Sequence, residues 1–260
     1  MQTAVLQISD LAYPGATDNK RALDLFIPSD AASKTLIAFV HGGAWISGDR
    51  KEFHFIGKSL AECGYITAIL GYRLAPEEVF PSQLEDVSDA LNFLHLQIHK
   101  FIGYHPDNLI LMGHSAGAQL VSLIPLNPKV STILPSTLQW IRGVVTVEGI
   151  FDILALSKSH PEFVDWFLDK AFPDRLKWED ASPTQTTCDP EALCRLGIGF
   201  TLVYSEDDEY KMRNQTTGFA SRLSSFDGVQ VAVEYGLGGG HDAILKQDNL
   251  IEFIKRRHSC

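Results

Sequence analysis

Gly113-His114-Ser115-Ala116-Gly117 has the residue types and spacing of a serine nucleophile on a tight turn. An apolar run, LILM, precedes it and a helical run, AQLVSLI, follows. A serine at such a strand-to-helix junction exposes its Oγ, and the flanking glycines let neighbouring backbone pass close by. The helix behind it contributes free N–H groups and the positive end of its dipole. The chemistry that fits is acyl transfer. Acyl transfer builds charge on a carbonyl oxygen, and each preorganised donor that meets it is worth roughly 3–4 kcal/mol. His41-Gly42-Gly43-Ala44-Trp45, directly after the run TLIAFV, can supply donors from Gly42 and Gly43, with the Ala116 N–H as the other.

A serine nucleophile needs a base. The expected chain order is serine, acid, histidine. Nine histidines compete. His241 lies in Gly238-Gly239-Gly240-His241-Asp242, a loop whose glycines let the ring swing over a sheet. His258 falls in the tail, His95 and His99 on a helix, and His114 should point away from the turn. The acid should follow a strand between serine and histidine, where Glu206, Asp207, Asp208 and Glu209 stand together. Asp208 is preferred, then Asp207, the others being solvated loop carboxylates. Glu148, at the end of GVVTV, is a third option, with a structural loop role its simpler reading.

Strands and helices must alternate to position these residues. Apolar runs at residues 35–40 and 65–70 read as strands buried on both faces, followed by strands at 109–112, 143–147, 200–204 and 229–235. Helices are expected over 51–63, with Gly64 as a stop, and over 81–101, where Leu84, Val87, Leu91, Leu94 and Ile98 form one stripe. Further helices are expected over 116–124, 163–171 and 243–254. This alternation implies an α/β fold, a mostly parallel central sheet with helices on both faces, and chemistry at the strands' carboxyl ends. The polar stretch 174–190 is too short to divide the chain. One domain is expected over residues 1–260, with a small helical insertion around 150–190.

The 260 residues carry a net charge of −10, which speaks against nucleic acid and anionic membranes as partners. No basic, apolar leader is visible at the N-terminus, and no run approaches the roughly 20 apolar residues of a membrane span. The expectation is a cytoplasmic protein with a small-molecule substrate; a homodimer is left open. Cys63, Cys188, Cys194 and Cys260 form no CxxC pair and read as reduced thiols. No Cys/His cluster or H-E-x-x-H appears, so neither a metal nor another cofactor is expected.

These motifs, together with Leu23-Asp24-Leu25-Phe26-Ile27-Pro28, Gly48-Asp49 and Tyr72-Arg73-Leu74-Ala75-Pro76, resemble the HGGxW branch of the α/β hydrolases. Its motif residues here are His41, Gly42, Gly43 and Trp45. The branch includes hormone-sensitive-lipase-like esterases and kynurenine formamidases. The stretch from Glu148-Gly149-Ile150-Phe151-Asp152 to Ala181-Ser182-Pro183 resembles the fungal type of kynurenine formamidase, and matching that family's acid lands on Asp208. The resemblance implies hydrolysis of N-formyl-L-kynurenine to L-kynurenine and formate, in tryptophan breakdown. Ser115 would attack, His241 would carry the proton, Asp208 would hold the imidazolium, and Gly42, Gly43 and Ala116 would bind the oxyanion. Trp45, Phe80, Trp166 and Phe167 are candidate contacts for the aryl ring, with Glu148 or Asp152 for the ammonium. Two other readings compete: a small-molecule carboxylesterase, and a ligand-binding module without catalysis.

Overall fold

A computed structural model describes residues 3–29, 34–133 and 135–258. Eight strands form one sheet: β1 (Val5–Ala12), β2 (Ala22–Pro28), β3 (Thr35–Val40), β4 (Ile66–Leu70), β5 (Asn108–His114), β6 (Ile141–Val147), β7 (Gly199–Tyr204) and β8 (Val231–Tyr235). Their order is β1-β2-β4-β3-β5-β6-β7-β8. Strand β2 runs antiparallel to both of its neighbours, β1 and β4. The rest pair in parallel.

Burial on both faces explains the unbroken apolar runs. In β3, Leu36, Ala38 and Val40 face one core and Ile37 and Phe39 the other. The first core includes α2 (Ser82–Ile102) and α3 (Ala116–Leu126), and the stripe Leu84, Val87, Leu91, Leu94 and Ile98 packs there. The second includes α1 (His54–Glu62), through Ile56 and Leu60, and Leu250 and Ile254 of the C-terminal helix. Short helices α4 (Pro128–Ile133) and α5 (Pro135–Trp140) lead into β6. Between β6 and β7 lie α6 (Ile153–Ser159), α7 (Asp169–Ala171) and α8 (Pro190–Leu196). Helix α9 (Arg213–Ser224) joins β7 to β8, and α10 (Asp248–Arg257) closes the chain.

Several expected helices are more broken than their periodicity suggests. Residues 51–63 begin as a 3₁₀ turn, Arg50–Phe53, whose first N–H groups are met by Asp49, before α1 starts. Residues 163–171 are a wide π-type coil, Val164–Leu168, running into α7. Residues 243–254 are a 3₁₀ turn and then α10, separated at the extended residue Gln247. Strand β2 escapes the apolar-run criterion because a charge sits inside it. Asp24 is fully buried and is held by Arg50 Nε at 3.1 Å and His54 Nε2 at 2.7 Å.

Candidate active site

Ser115 stands between β5 and α3 at φ 51° and ψ −117°, a left-handed conformation that a side chain adopts only under constraint. Its N–H donates to the Val147 carbonyl at 2.9 Å, which ties the turn to β6. The two glycines of the motif answer to packing. A Cβ on Gly113 would lie 2.4 Å from the Gly117 carbonyl oxygen, and one on Gly117 would lie 2.1 Å from that of Val40. The start of α3 therefore presses directly on the end of β3.

The sheet brings three distant side chains together. His241 Nε2 lies 2.9 Å from Ser115 Oγ, and its Nδ1 lies 3.2 Å from Asp208 Oδ1. All three residues are buried. Burial alone would push the Asp208 carboxyl up, but hydrogen bonds from His241 and from the N–H groups of Met212 and Tyr210 outweigh it and hold it below the usual carboxylate range. The ionised form is thus favoured beside the imidazole. Asp207 is exposed, and its N–H donates to Ser205 Oγ within the turn. The geometry brings Asp208, not its neighbour, to His241.

Two further residues grip the peptide of His241. Its N–H donates to Glu209 Oε2 at 2.8 Å, and its carbonyl accepts from His114 Nε2 at 2.8 Å. A Cβ on Gly240 would meet that Glu209 oxygen at 2.6 Å, so the glycine is what lets the carboxylate reach. Burial and the neighbouring His241 push the His114 ring down to about 3, so it is neutral and donates from Nε2. Sequence spacing gives no sign of either contact. Glu148 is fully buried beside Asp208. Burial pushes its carboxyl up to about 8, despite a 2.6 Å hydrogen bond from the Ser205 N–H to Oε1.

The HGGAW segment folds against the nucleophile: a Cβ on Gly42 would lie 3.0 Å from Ser115 Cβ. Gly43 lines the cleft beside Ser115 at φ 112°. Ala116 opens α3, where N–H groups have no intrahelical acceptor. His41 is a support rather than a reacting group. Its ring stacks on Tyr72 at 4.4 Å and Phe53 at 5.5 Å, and its Nδ1 lies 2.7 Å from the Gly42 carbonyl. Burial pushes it down to about 4, so it is neutral and donates to that carbonyl.

The cleft above Ser115 measures about 350 Å³, within the usual range for small-molecule sites. Its wall is apolar, built from Ile150, Phe163, Trp166, Phe167, Tyr210 and Met212. Trp166 and Phe167 thus lie where expected, while Trp45 and Phe80 do not line it. Trp45 is core: its Nε1 donates to Gln119 at 3.1 Å and its ring packs edge-on against Phe172. Phe80 packs on the other side of Phe172. Neither Glu148 nor Asp152 reaches the cleft. Asp152 instead caps α6 through the Ala155 N–H at 2.7 Å. Asp242 is the carboxylate at the rim, and no Lys or Arg is among the described lining residues.

Among the described residues, two groups of side chains could offer three metal ligands each, His114–His241–Asp242 and Glu148–Asp208–His241. Both draw on His241, whose ring nitrogens already face Ser115 and Asp208. Cys63, Cys188 and Cys194 are unpaired thiols, and Cys260 lies outside the described residues. No helix among the described residues is long and apolar enough to cross a membrane.

Comparison with known proteins agrees with this architecture. The family model BD-FAE matches residues 23–185, well over half of the chain. A kynurenine formamidase of Meyerozyma guilliermondii is 28% identical over 233 residues, covering 86% of this chain and 85% of that protein. A probable isoprenylcysteine alpha-carbonyl methylesterase of Oryza sativa subsp. japonica is 33% identical over 135 residues, 52% of this chain; the chain spans about a third of that protein's length, 32%. Among solved structures, carboxyl esterase 2 of Tuber melanosporum superposes with a TM-score of 0.78 at 23% identity, covering 98% of this chain and 85% of that one. That likeness establishes the α/β-hydrolase fold.

Proposed function

The chain belongs to the BD-FAE family, and from that premise we propose that it is a serine hydrolase whose triad is Ser115, His241 and Asp208. The observation that carries this reading is the unbroken relay from Oγ through both ring nitrogens to the carboxylate. His241 Nε2 takes the hydroxyl proton as Oγ attacks the acyl carbon, and Asp208 holds Nδ1–H and offsets the imidazolium charge. The N–H groups of Gly42, Gly43 and Ala116 meet the developing oxyanion. The bond to the leaving group breaks as His241 returns the proton to it. Water then attacks the acyl-enzyme with His241 as base, and Ser115 recovers its hydrogen.

For the substrate we propose N-formyl-L-kynurenine, giving L-kynurenine and formate. Its scissile bond is an N-aryl formamide, and the aniline nitrogen leaves far more readily than an alkyl amine, so ester-cleaving machinery suffices. Support comes from the kynurenine formamidase likeness along most of the chain, and from an aromatic wall that suits an aryl ring. Asp242 at the rim takes the place first assigned to Glu148 or Asp152 as partner for the ammonium. One observation favours a second reading, a carboxylesterase of neutral esters: the described lining offers no cation for the amino acid's carboxylate.

The two are separated by kcat/KM for formylkynurenine against acetyl and butyryl p-nitrophenyl esters. The formamidase reading expects formylkynurenine to lead, since polar groups left unmatched by a plain ester can discriminate by roughly 10⁴. A butyryl ester that leads instead rejects that substrate and leaves the carboxylesterase.

A further inference from the structure

Glu148 has no part in the mechanism above, yet it is the most unusual charged group near it. It directly follows β6 at φ 51°, a left-handed conformation rarely adopted by a residue with a side chain. Its side chain is fully buried, and only one oxygen is satisfied, Oε1 by the Ser205 N–H. Oε2 is shielded from solvent and has no hydrogen-bond partner among the described residues. An unmatched buried carboxyl oxygen costs about 1–3 kcal/mol, more if charged, so such a group calls for a role.

Its surroundings suggest one. A carboxyl oxygen of Glu148, a carboxylate oxygen of Asp208 and a ring nitrogen of His241 all lie within 4.8 Å of one another. Asp208 and Glu209 face Glu148 from the loop after β7, and both oppose its ionisation. His241 faces it from the loop after β8, and the buried, neutral His114 backs His241 from β5. Two carboxyls this close do not both ionise readily, so one keeps a proton. Asp208 has three donors and Glu148 one, which decides which of them holds the charge.

We propose that Glu148 is a second positioning carboxyl of the relay, silent beside Asp208 and able to take over the support of His241 when Asp208 is lost. In the intact site its Oε1 fixes the Ser205 N–H, three residues ahead of Asp208, and its own proton spares Asp208 a neighbouring anion. With Asp208 removed, Glu148 releases its proton to water, and its carboxylate then faces the imidazole. The inference rests on the proposed triad.

The test compares Asp208→Ala with Asp208→Ala/Glu148→Gln, scanning kcat/KM against pH with p-nitrophenyl acetate and verifying folding by thermal melts. Across about pH 5 to 9.5 the single variant should show a rise of fivefold or more as Glu148 ionises, a step that the double variant lacks. Parallel profiles, or a double variant as active as the single throughout, overturn the proposal. If alanine unfolds the site, Asp208→Asn with and without Glu148→Gln carries the same comparison. A Ser115→Ala protein that keeps the parent's activity would instead sink the triad. Loss of activity in Ser115→Ala with parallel pH profiles sinks the role of Glu148 alone.

Discussion

Gly117→Ala should damage catalysis and stability together. The added Cβ would sit 2.1 Å from the Val40 carbonyl oxygen and 2.5 Å from that of His41. Carbon and oxygen that are not bonded rest at roughly 3.3 Å or more. The start of α3 must therefore move about 1 Å away from the end of β3. Neither neighbour is a flexible side-chain tip; both are backbone of the strand that carries the HGG turn. Overpacking of this kind costs about 1–3 kcal/mol, and at roughly 2–4 °C per kcal/mol for a chain of this size, a 2 kcal/mol loss lowers Tm by about 4–8 °C. The same movement separates Ser115 from Gly42 and Gly43, and a 1 Å misplacement at reacting groups can cost about 10²-fold. Ester turnover and a thermal melt measure both effects. Gly218 in α9 is the control, since a Cβ there meets nothing within 4 Å, and Gly218→Ala should hold or raise Tm through helix propensity. If Gly117→Ala stays within about threefold in kcat/KM and about 1 °C in Tm of the parent, the close approach does not set the site.

Asp208→Asn should lower kcat by about 10³-fold or more at pH 7, while Asp207→Asn stays within a few-fold, because only Asp208 meets Nδ1; a crippled Asp207→Asn protein would shift the acid by one residue. Trp45→Phe leaves the buried Gln119 oxygen without its donor, so Tm should fall by an amount matching about 1–3 kcal/mol with little change in KM, whereas Trp166→Ala should raise KM; a tenfold KM rise in Trp45→Phe at unchanged Tm would make Trp45 a ligand contact. Folding raises the Glu148 carboxyl to about 8 from its ordinary 4.5. The folded state then holds a proton that the unfolded chain releases, and stability drains away as pH climbs from about 4.5 through about 8, by up to about 1.4 kcal/mol per unit. Glu148→Gln removes that loss, so its Tm advantage over the parent should widen from pH 5 to pH 8, and a constant or shrinking advantage speaks against a protonated Glu148.

What could be read in advance was whatever local chain geometry imposes. The glycines around Ser115 are demanded by backbone contacts at 2.1 and 2.4 Å, and such close approaches leave a visible motif. The apolar strands were legible because both faces are covered. The preference for Asp208 over Asp207 rests on spacing and a family likeness, and the turn supplies its physical reason: Ser205 Oγ takes the Asp207 N–H, while the N–H groups of Tyr210 and Met212 converge on the Asp208 carboxylate. What was not legible depends on contacts between distant segments. His114 and Glu209 hold His241 across 127 and 32 residues. Tyr210 and Met212 reach the cleft from the turn between β7 and α9, where no periodicity marks an inward face. Trp45 shows the converse: a conspicuous motif aromatic whose indole serves the core.

The central claim is that Ser115 Oγ is the nucleophile. Treatment with a fluorophosphonate, followed by intact-mass and peptide mapping, tests it most directly. One adduct per chain, located on Ser115 and absent from a folded Ser115→Ala protein with about 10⁴-fold lower kcat, is the predicted result. A protein that stays unlabelled, carries the adduct elsewhere, or keeps a tenth of its activity without the hydroxyl would contradict it.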